Sequence, residues 1–156
     1  DEIIAKILID KDSPFLKSLI VNKGSKDNIM LGMSVLDGPY LVGKVVEVNY
    51  LSSRILLLSD LNSKIPIIIE PGGIQSILSG TGKDDGIIQY FKENYDIDDG
   101  SILYTSGSGG LFKAGIPIGK LKLIDSTNID DHKVKFYSDF SQLKFVKIVS
   151  FTKEVN

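Results

Sequence analysis

The sequence predicts an all-β protein, and three observations support this prediction. Apolar residues form short runs of about four to eight residues, rich in β-branched and aromatic side chains. Gly, Asn, Asp, Ser and Pro bound these runs, as is typical of turns. The chain has 15 glycines in 156 residues, and no stretch shows the periodicity of a long helix. Repeated short strands of this kind are typical of a sandwich or a barrel. The predicted strands are 3–9, 19–21, 42–48, 54–58, 65–70, 75–79, 87–91, 102–104, 116–124, 133–137 and 145–149.

Composition excludes several classes of protein. The 18 basic and 20 acidic residues are spread singly along the chain, which argues against a nucleic-acid-binding face. The chain has no cysteine and therefore no disulfide framework, thiolate metal site or cysteine nucleophile. Its apolar runs are far shorter than the roughly 20 residues that span a bilayer. The acidic start, Asp1-Glu2, is unlike a signal peptide, so we expect any anchor or export signal to lie upstream.

A weak internal repeat divides the chain into halves. Gly32, a strand and Gly43-Lys44 in the first half correspond to Gly100, a strand and Gly119-Lys120 in the second. The residues around 70–73 break both strand and helix, which predicts a boundary between 1–70 and 71–156. The pattern is explained either by a duplicated small barrel, with a possible exchange of strands between the halves, or by chance similarity in a repetitive β sequence.

The Gly-rich segment 105–120 resembles an active-site loop but lacks the chemistry of one. Ser108 lies in a run similar to the nucleophile loop of trypsin-like proteases, where a serine needs a histidine base. The only histidine, His132, follows the serine, whereas the trypsin-like arrangement takes its base from the first barrel. We therefore predict no catalytic residues and interpret the glycines as a backbone that lies close against another surface.

Two other polar clusters are interpreted as turns. Asp130-Asp131-His132 contains possible metal ligands, but neighbouring residues of a strand point to opposite faces, so we predict no metal site. The segment 80–83 fails the phosphate-loop pattern because Ile77 and Asp84 occupy positions that require Gly and Ser or Thr. We predict no cofactor.

Several segments follow one another in a characteristic order: NKGSKD at 22–27, GMSV at 32–35, GKVVEV at 43–48, LLLSDLNSKIP at 56–66 and ILSGTG at 77–82. The most specific is TSGSGGLFKAGIPIGK at 105–120. In order and approximate spacing, from about Ala5 to Phe151, the chain resembles the MreC family of bacterial rod shape-determining proteins. It departs at 112–114, where the family often has Pro-rich residues.

The resemblance implies two small six-stranded β-barrels in tandem, reminiscent of a trypsin-like double barrel without its catalytic residues. It also implies a periplasmic position, with an upstream transmembrane helix and coiled coil. The implied role is a non-enzymatic scaffold of the elongation complex that inserts peptidoglycan. The implied partners are MreD, a class B penicillin-binding protein and the actin-like MreB system across the membrane, together with self-association into dimers or filaments.

The candidate partner-binding residues lie in the extra piece of the second half: Gly109, Gly110, Leu111, Phe112 and Lys113. Phe112 is either an exposed anchor for a partner or a plug of its own barrel. The alternative function is a peptidoglycan-binding module that touches glycan directly, although such sites usually present aromatic platforms and the chain has no tryptophan.

Overall fold

The computed structural model describes residues 2–12, 17–89, 97–110, 112–123 and 132–150, which form twelve strands and three short 3-10 helices. The all-β prediction is confirmed. None of the helices in these ranges is long and apolar enough to cross a membrane. The 3-10 helices are Ser25–Asp27, Ser108–Gly110 and Phe140–Gln142. The strands are β1 Glu2–Asp12, β2 Lys17–Val21, β3 Ser34–Asp37, β4 Tyr40–Val48, β5 Ser53–Leu57, β6 Lys64–Glu70, β7 Ile74–Gly80, β8 Gly86–Gln89, β9 Ile102–Thr105, β10 Pro117–Leu123, β11 His132–Phe136 and β12 Phe145–Val149.

The strands close into two antiparallel barrels of six strands each, which confirms the predicted architecture. The first has the order β1-β12-β3-β4-β5-β2, and the second has the order β10-β11-β8-β7-β6-β9. Closure pairs every strand on both sides, so neither sheet leaves a free edge. Only β3 is missing from the predicted strands, because its apolar run is limited to Val35 and Leu36.

The barrels exchange strands between the two halves of the chain. The halves 1–70 and 71–156 each supply six strands, yet neither half forms a barrel by itself. The last strand of the first half, β6, pairs with β7 and β9 in the second barrel. The last strand of the second half, β12, pairs with β1 and β3 in the first barrel. A division of the chain at residue 70 therefore does not separate the barrels.

Glycines at equivalent places of the two barrels make the same hydrogen bond. The Gly32 N–H donates to the carbonyl oxygen of Val45 over 2.8 Å, and the Gly100 N–H donates to that of Leu121 over 2.9 Å. Both glycines have positive φ, +86° and +84°, a conformation that side chains with a Cβ rarely adopt. The repeat in the sequence thus corresponds to one backbone arrangement that occurs in both barrels.

A second pair of glycines marks close approaches between strands. A Cβ added at Gly43 would overlap the carbonyl oxygen of Leu56, and a Cβ added at Gly119 would overlap that of Lys135. The two glycines lie on β4 and β10, which hold the same position in their barrels. Only glycine fits these crossings, since any side chain would push the neighbouring strand away.

The cores of the two barrels differ in extent. The core of the first barrel is built around Val21, Val45 and Ile55. The core of the second barrel is larger, because it continues into Leu36, Leu41 and Leu58 from the first half of the chain. The end of the first barrel therefore packs against the second barrel through buried apolar side chains.

Two aspartates shape the connections that cross between the barrels. The Asp60 carboxylate, on the connection from β5 to β6, accepts hydrogen bonds from the N–H groups of Asn62 and Lys17, both at 2.7 Å. On the connection from β11 to β12, the Asp139 carboxylate accepts from the Ser141 N–H at 3.0 Å. Both turns are stabilised by an aspartate that bonds the backbone two residues ahead, which redirects the chain towards the other barrel.

Candidate functional site

The Gly-rich segment forms a loop that is closed at its base by Thr105. The buried Thr105 hydroxyl donates to the Lys113 carbonyl oxygen over 2.6 Å and accepts from the Ile116 N–H over 2.9 Å. The backbone adds two bonds, from the Thr105 N–H to the Ile116 oxygen and from the Gly115 N–H to the Thr105 oxygen, both 2.9 Å. Four hydrogen bonds around one threonine therefore fix the distance between the two ends of the loop.

Gly107 allows the loop to fold back on itself. It has a φ of +77°, and an added Cβ would lie 3.0 Å from the Ala114 Cβ across the loop. Both the backbone conformation and the lack of space favour glycine at this position. The surface that Gly107 lies close against is therefore the other side of its own loop.

The described residues give Ser108 no catalytic machinery. Ser108 is exposed, and its N–H donates to the Ser106 hydroxyl over 3.2 Å. In the part of the chain that the structure describes, its hydroxyl forms no hydrogen bond with a histidine, a lysine or a carboxylate. His132 lies at the start of β11, where it pairs with Leu123 in the ladder. The same ranges contain no group of three or more His, Asp or Glu residues that could hold a metal ion.

The five candidate partner-binding residues have different environments. Gly109 and Gly110 belong to the 3-10 helix Ser108–Gly110, and Leu111 lies outside the described residues. Phe112 is only 3% exposed and belongs to the core of the second barrel. Lys113 is exposed. Of the two interpretations of Phe112, the structure supports the plug, because its ring presents no free face to a partner.

The loop borders a groove between the barrels with a volume of about 410 Å³. The second barrel contributes residues 113–117 to it, with Lys113 and Ala114 exposed at the rim. The first barrel contributes side chains from both ends of the chain and from the β3–β4 turn. These lining residues are Glu2, Ser34, Leu36, Pro39, Val149 and Ser150. The groove therefore exists only when the two barrels and the exchanged strand β12 are all in place.

A second groove between the barrels, about 580 Å³ in volume, is lined largely by the β11–β12 connection. The Asp139 carboxylate, which lines this groove, accepts hydrogen bonds from the Ser141 hydroxyl and from the Ser141 N–H. These bonds lower the pKa of Asp139 below the ordinary aspartate value. Burial raises the pKa of Tyr137, and the nearby Tyr104 and Tyr40 hydroxyls add to the effect. The rings of Tyr137 and Tyr40 lie 4.9 Å apart and join the two barrels at this place.

Proteins of one known family share this architecture. The family described as rod shape-determining protein MreC, barrel core, matches residues 7–150. The chain belongs to the MreC family. The resemblance that the ordered motifs indicate is thereby confirmed.

Relatives of the chain are cell shape-determining MreC proteins. The protein from Caulobacter vibrioides is 31% identical over 150 residues, which cover 89% of this chain and 43% of the relative. The protein from Escherichia coli is 30% identical over 133 residues, which cover 85% of this chain and 35% of the relative. The chain spans less than half the length of these relatives.

Solved structures of the family have the same fold. MreC from Pseudomonas aeruginosa superimposes with a TM-score of 0.86 at 28% identity, covering 96% of this chain and 99% of that one. A chain from the complex between penicillin-binding protein PBP2 and MreC of Helicobacter pylori superimposes with a TM-score of 0.69 at 15% identity, covering 97% and 99%. At that identity the second likeness concerns the fold alone.

Sequence reasoning missed the two connections that join the barrels. Ser59-Asp60-Leu61 and Ser138-Asp139-Phe140 are similar triplets at equivalent turns, and this similarity was a signal that could have identified them. The Ser138 hydroxyl donates to the Asp37 carboxylate and so fixes the second connection to the β3–β4 turn. These residues hold the position of the barrels and thus the shape of both grooves.

Proposed function

We propose that this chain is part of a non-enzymatic scaffold of the cell-wall elongation complex, which maintains rod or helical cell shape by binding cell-wall synthesis proteins. The observation that carries the proposal is the match to the MreC barrel core over residues 7–150. It is supported by the Helicobacter pylori complex, in which a protein of this family binds a penicillin-binding protein.

The groove of about 410 Å³ beside the Gly-rich loop is the surface that we propose for a class B penicillin-binding protein. Half-buried Ile116, Pro117 and Val149 supply apolar lining to the groove, while the exposed Lys113 and Glu2 supply opposite charges. An apolar centre with a polar rim is the usual anatomy of a protein–protein interface. Phe112 contributes indirectly, since its burial in the core of the second barrel anchors the backbone next to Lys113.

The remaining parts of the proposal concern location and assembly. We place the chain on the periplasmic side of the inner membrane, where MreC structures described as major periplasmic domains give the precedent. An upstream helix would anchor it, and MreD, the MreB system and further copies of MreC would be its other partners.

Binding to a purified class B penicillin-binding protein tests the proposed surface. We expect the double substitution Lys113→Glu and Ala114→Arg to weaken the binding at least tenfold, because it reverses one rim charge and fills the groove. Both side chains are exposed, so the melting temperature should change little. Lys83→Glu is the matched control: Lys83 is an equally exposed lysine of the second barrel that does not line the groove.

The outcomes separate the surface from the function. Equal affinity of the double variant and the wild type would contradict the groove as the binding surface. Failure of the unmodified chain to bind any class B penicillin-binding protein would contradict the scaffold function. Labelling of Ser108 by a fluorophosphonate probe would instead indicate an enzyme, and retention on purified peptidoglycan without protein partners would favour direct glycan contact.

A further inference from the structure

One end of the first barrel is built from two loops that hydrogen bond to each other. The Ser25 N–H donates to the Asn49 carbonyl oxygen over 2.9 Å, and the Lys26 N–H donates to the Tyr50 oxygen over 3.1 Å. The loops are residues 22–33, between β2 and β3, and residues 49–52, between β4 and β5. We call these two loops together the barrel tip.

The barrel tip exposes four large apolar side chains. Met30 is 66% exposed, Leu31 69%, Tyr50 67% and Leu51 60%. Ile29, next to Met30, is 3% exposed and belongs to the core, so the loop already provides its own plug for the barrel. The four side chains are mostly exposed and lie on two loops that hydrogen bond to each other. Exposed apolar side chains concentrated in this way indicate a contact with something else.

The barrel tip contains two lysines, Lys23 and Lys26, and one acid, Asp27. The Asp27 carboxylate accepts a hydrogen bond from the Gly24 N–H over 3.2 Å. Glu47, near the end of β4, forms an ion pair with Arg54 over 3.0 Å, so these two charges offset each other.

The lysines of the barrel tip therefore outnumber its acid by one. Lys23 and Lys26 have no ion-pair partner among the described residues. Lys26 is exposed, and its N–H bond to the Tyr50 oxygen places it directly beside the apolar side chains.

We propose that the barrel tip docks on an anionic lipid bilayer. Leu, Met and Tyr side chains that protrude from adjoining turns enter the boundary between head groups and acyl chains, where tyrosine is favoured because it is apolar with a polar end. Lysines beside them bind the head-group phosphates. The barrel tip belongs to neither of the two grooves between the barrels. This proposal is independent of the penicillin-binding-protein surface.

Vesicle binding tests the proposal directly. The chain contains no tryptophan, so Leu51→Trp places a single reporter in the barrel tip. We expect its emission to shift to the blue and its quenching by aqueous iodide to fall when vesicles of phosphatidylethanolamine and phosphatidylglycerol are added. Vesicles of phosphatidylcholine alone should give a much smaller change, because they carry no net negative charge.

Substitutions separate the apolar and electrostatic contributions. Replacing Met30, Leu31, Tyr50 and Leu51 by serine should lower co-sedimentation with the anionic vesicles at least tenfold. Lys23→Glu with Lys26→Glu should lower it by about fivefold for each lysine removed, an effect that added salt abolishes.

The control for these variants uses another exposed apolar group of the first barrel. Ile4, Leu8 and Phe145, on the outer faces of β1 and β12, are 58%, 54% and 57% exposed. Serine at these three positions should leave vesicle binding unchanged. Circular dichroism and melting temperature show that every variant is folded.

Three results would overturn the proposal. The first is wild-type binding no stronger than that of the fourfold serine variant. The second is an equal loss of binding in the Ile4, Leu8 and Phe145 control. The third is a change of oligomeric state, without a change in vesicle binding, when the barrel tip is altered, which would show that a second copy of the chain covers it. None of these measurements involves a penicillin-binding protein, so they leave the proposed function untouched.

Discussion

Truncation of Phe112 to alanine should destabilise the protein strongly. The ring is 3% exposed in the core of the second barrel, and Thr105 ties the adjacent Lys113 backbone in place, so the loop cannot collapse into the space that the ring leaves. Loss of a buried Phe side chain costs about 3–5 kcal/mol of unfolding free energy. For a chain of this size that corresponds to a fall in melting temperature of roughly 6–20 °C.

Urea denaturation, followed by circular dichroism, measures the effect of Phe112→Ala. The transition midpoint should fall while the slope with denaturant stays constant, as expected when stability alone changes. Phe112→Leu keeps most of the volume and should lose much less. Lys113→Ala is the exposed control and should remain within about 0.5 kcal/mol of the wild type. A loss below about 1 kcal/mol for Phe112→Ala would refute the plug and restore the exposed anchor.

Two further predictions concern the connections and the strand exchange. Residues 1–70 alone should not fold to a stable barrel, because β12 is absent. Mixing them with residues 71–156 should restore the circular dichroism signal of β-structure. Dispersed amide resonances from the first fragment alone would show that it folds independently and would contradict this prediction. Ser141→Ala should raise the pKa of Asp139 towards the ordinary value, as measured by carbon-detected titration. Because Asp139 has a lowered pKa in the folded state, its contribution to stability is present above the unfolded pKa and is lost as the pH falls through the folded pKa. Ser141→Ala should therefore make the stability of the protein less sensitive to acid. An unchanged Asp139 pKa in Ser141→Ala would show that the hydrogen bond from the Ser141 hydroxyl is not the cause.

Most of the strands could be predicted from the sequence, because each is a short apolar run bounded by turn residues. The run 65–70, with alternating burial in β6, and the turn residues around it could be recognised without tertiary information. β3 could not, since a strand of four residues with two apolar side chains has the composition of many loops. The pairing of the strands could not be predicted either, because nothing in the residues of β12 shows that it lies between β1 and β3.

The loop 105–120 could be predicted as a distinctive surface, but the environment of its side chains could not. Phe112 follows a Gly-rich run and precedes Lys113 and Ala114, a context that suits an exposed ring as well as a buried one. Its burial depends on the space inside a barrel that strands from both halves of the chain enclose. The groove could not be predicted either, because its walls combine residues from near both ends of the chain, from β3 and the β3–β4 turn, and from the Gly-rich loop.

The strand exchange also determines how the molecule would bear a mechanical load. β1 and β12 are antiparallel neighbours, with Glu2 opposite Val149 and Lys6 opposite Phe145. Tension applied through residues that precede Glu2 and follow Val149 would therefore pull on adjacent ends of one ladder and peel its hydrogen bonds apart one pair at a time. The second barrel lies outside this line of force. Under strain the first barrel would open first, while the second barrel and the β6 strand inside it stay unloaded.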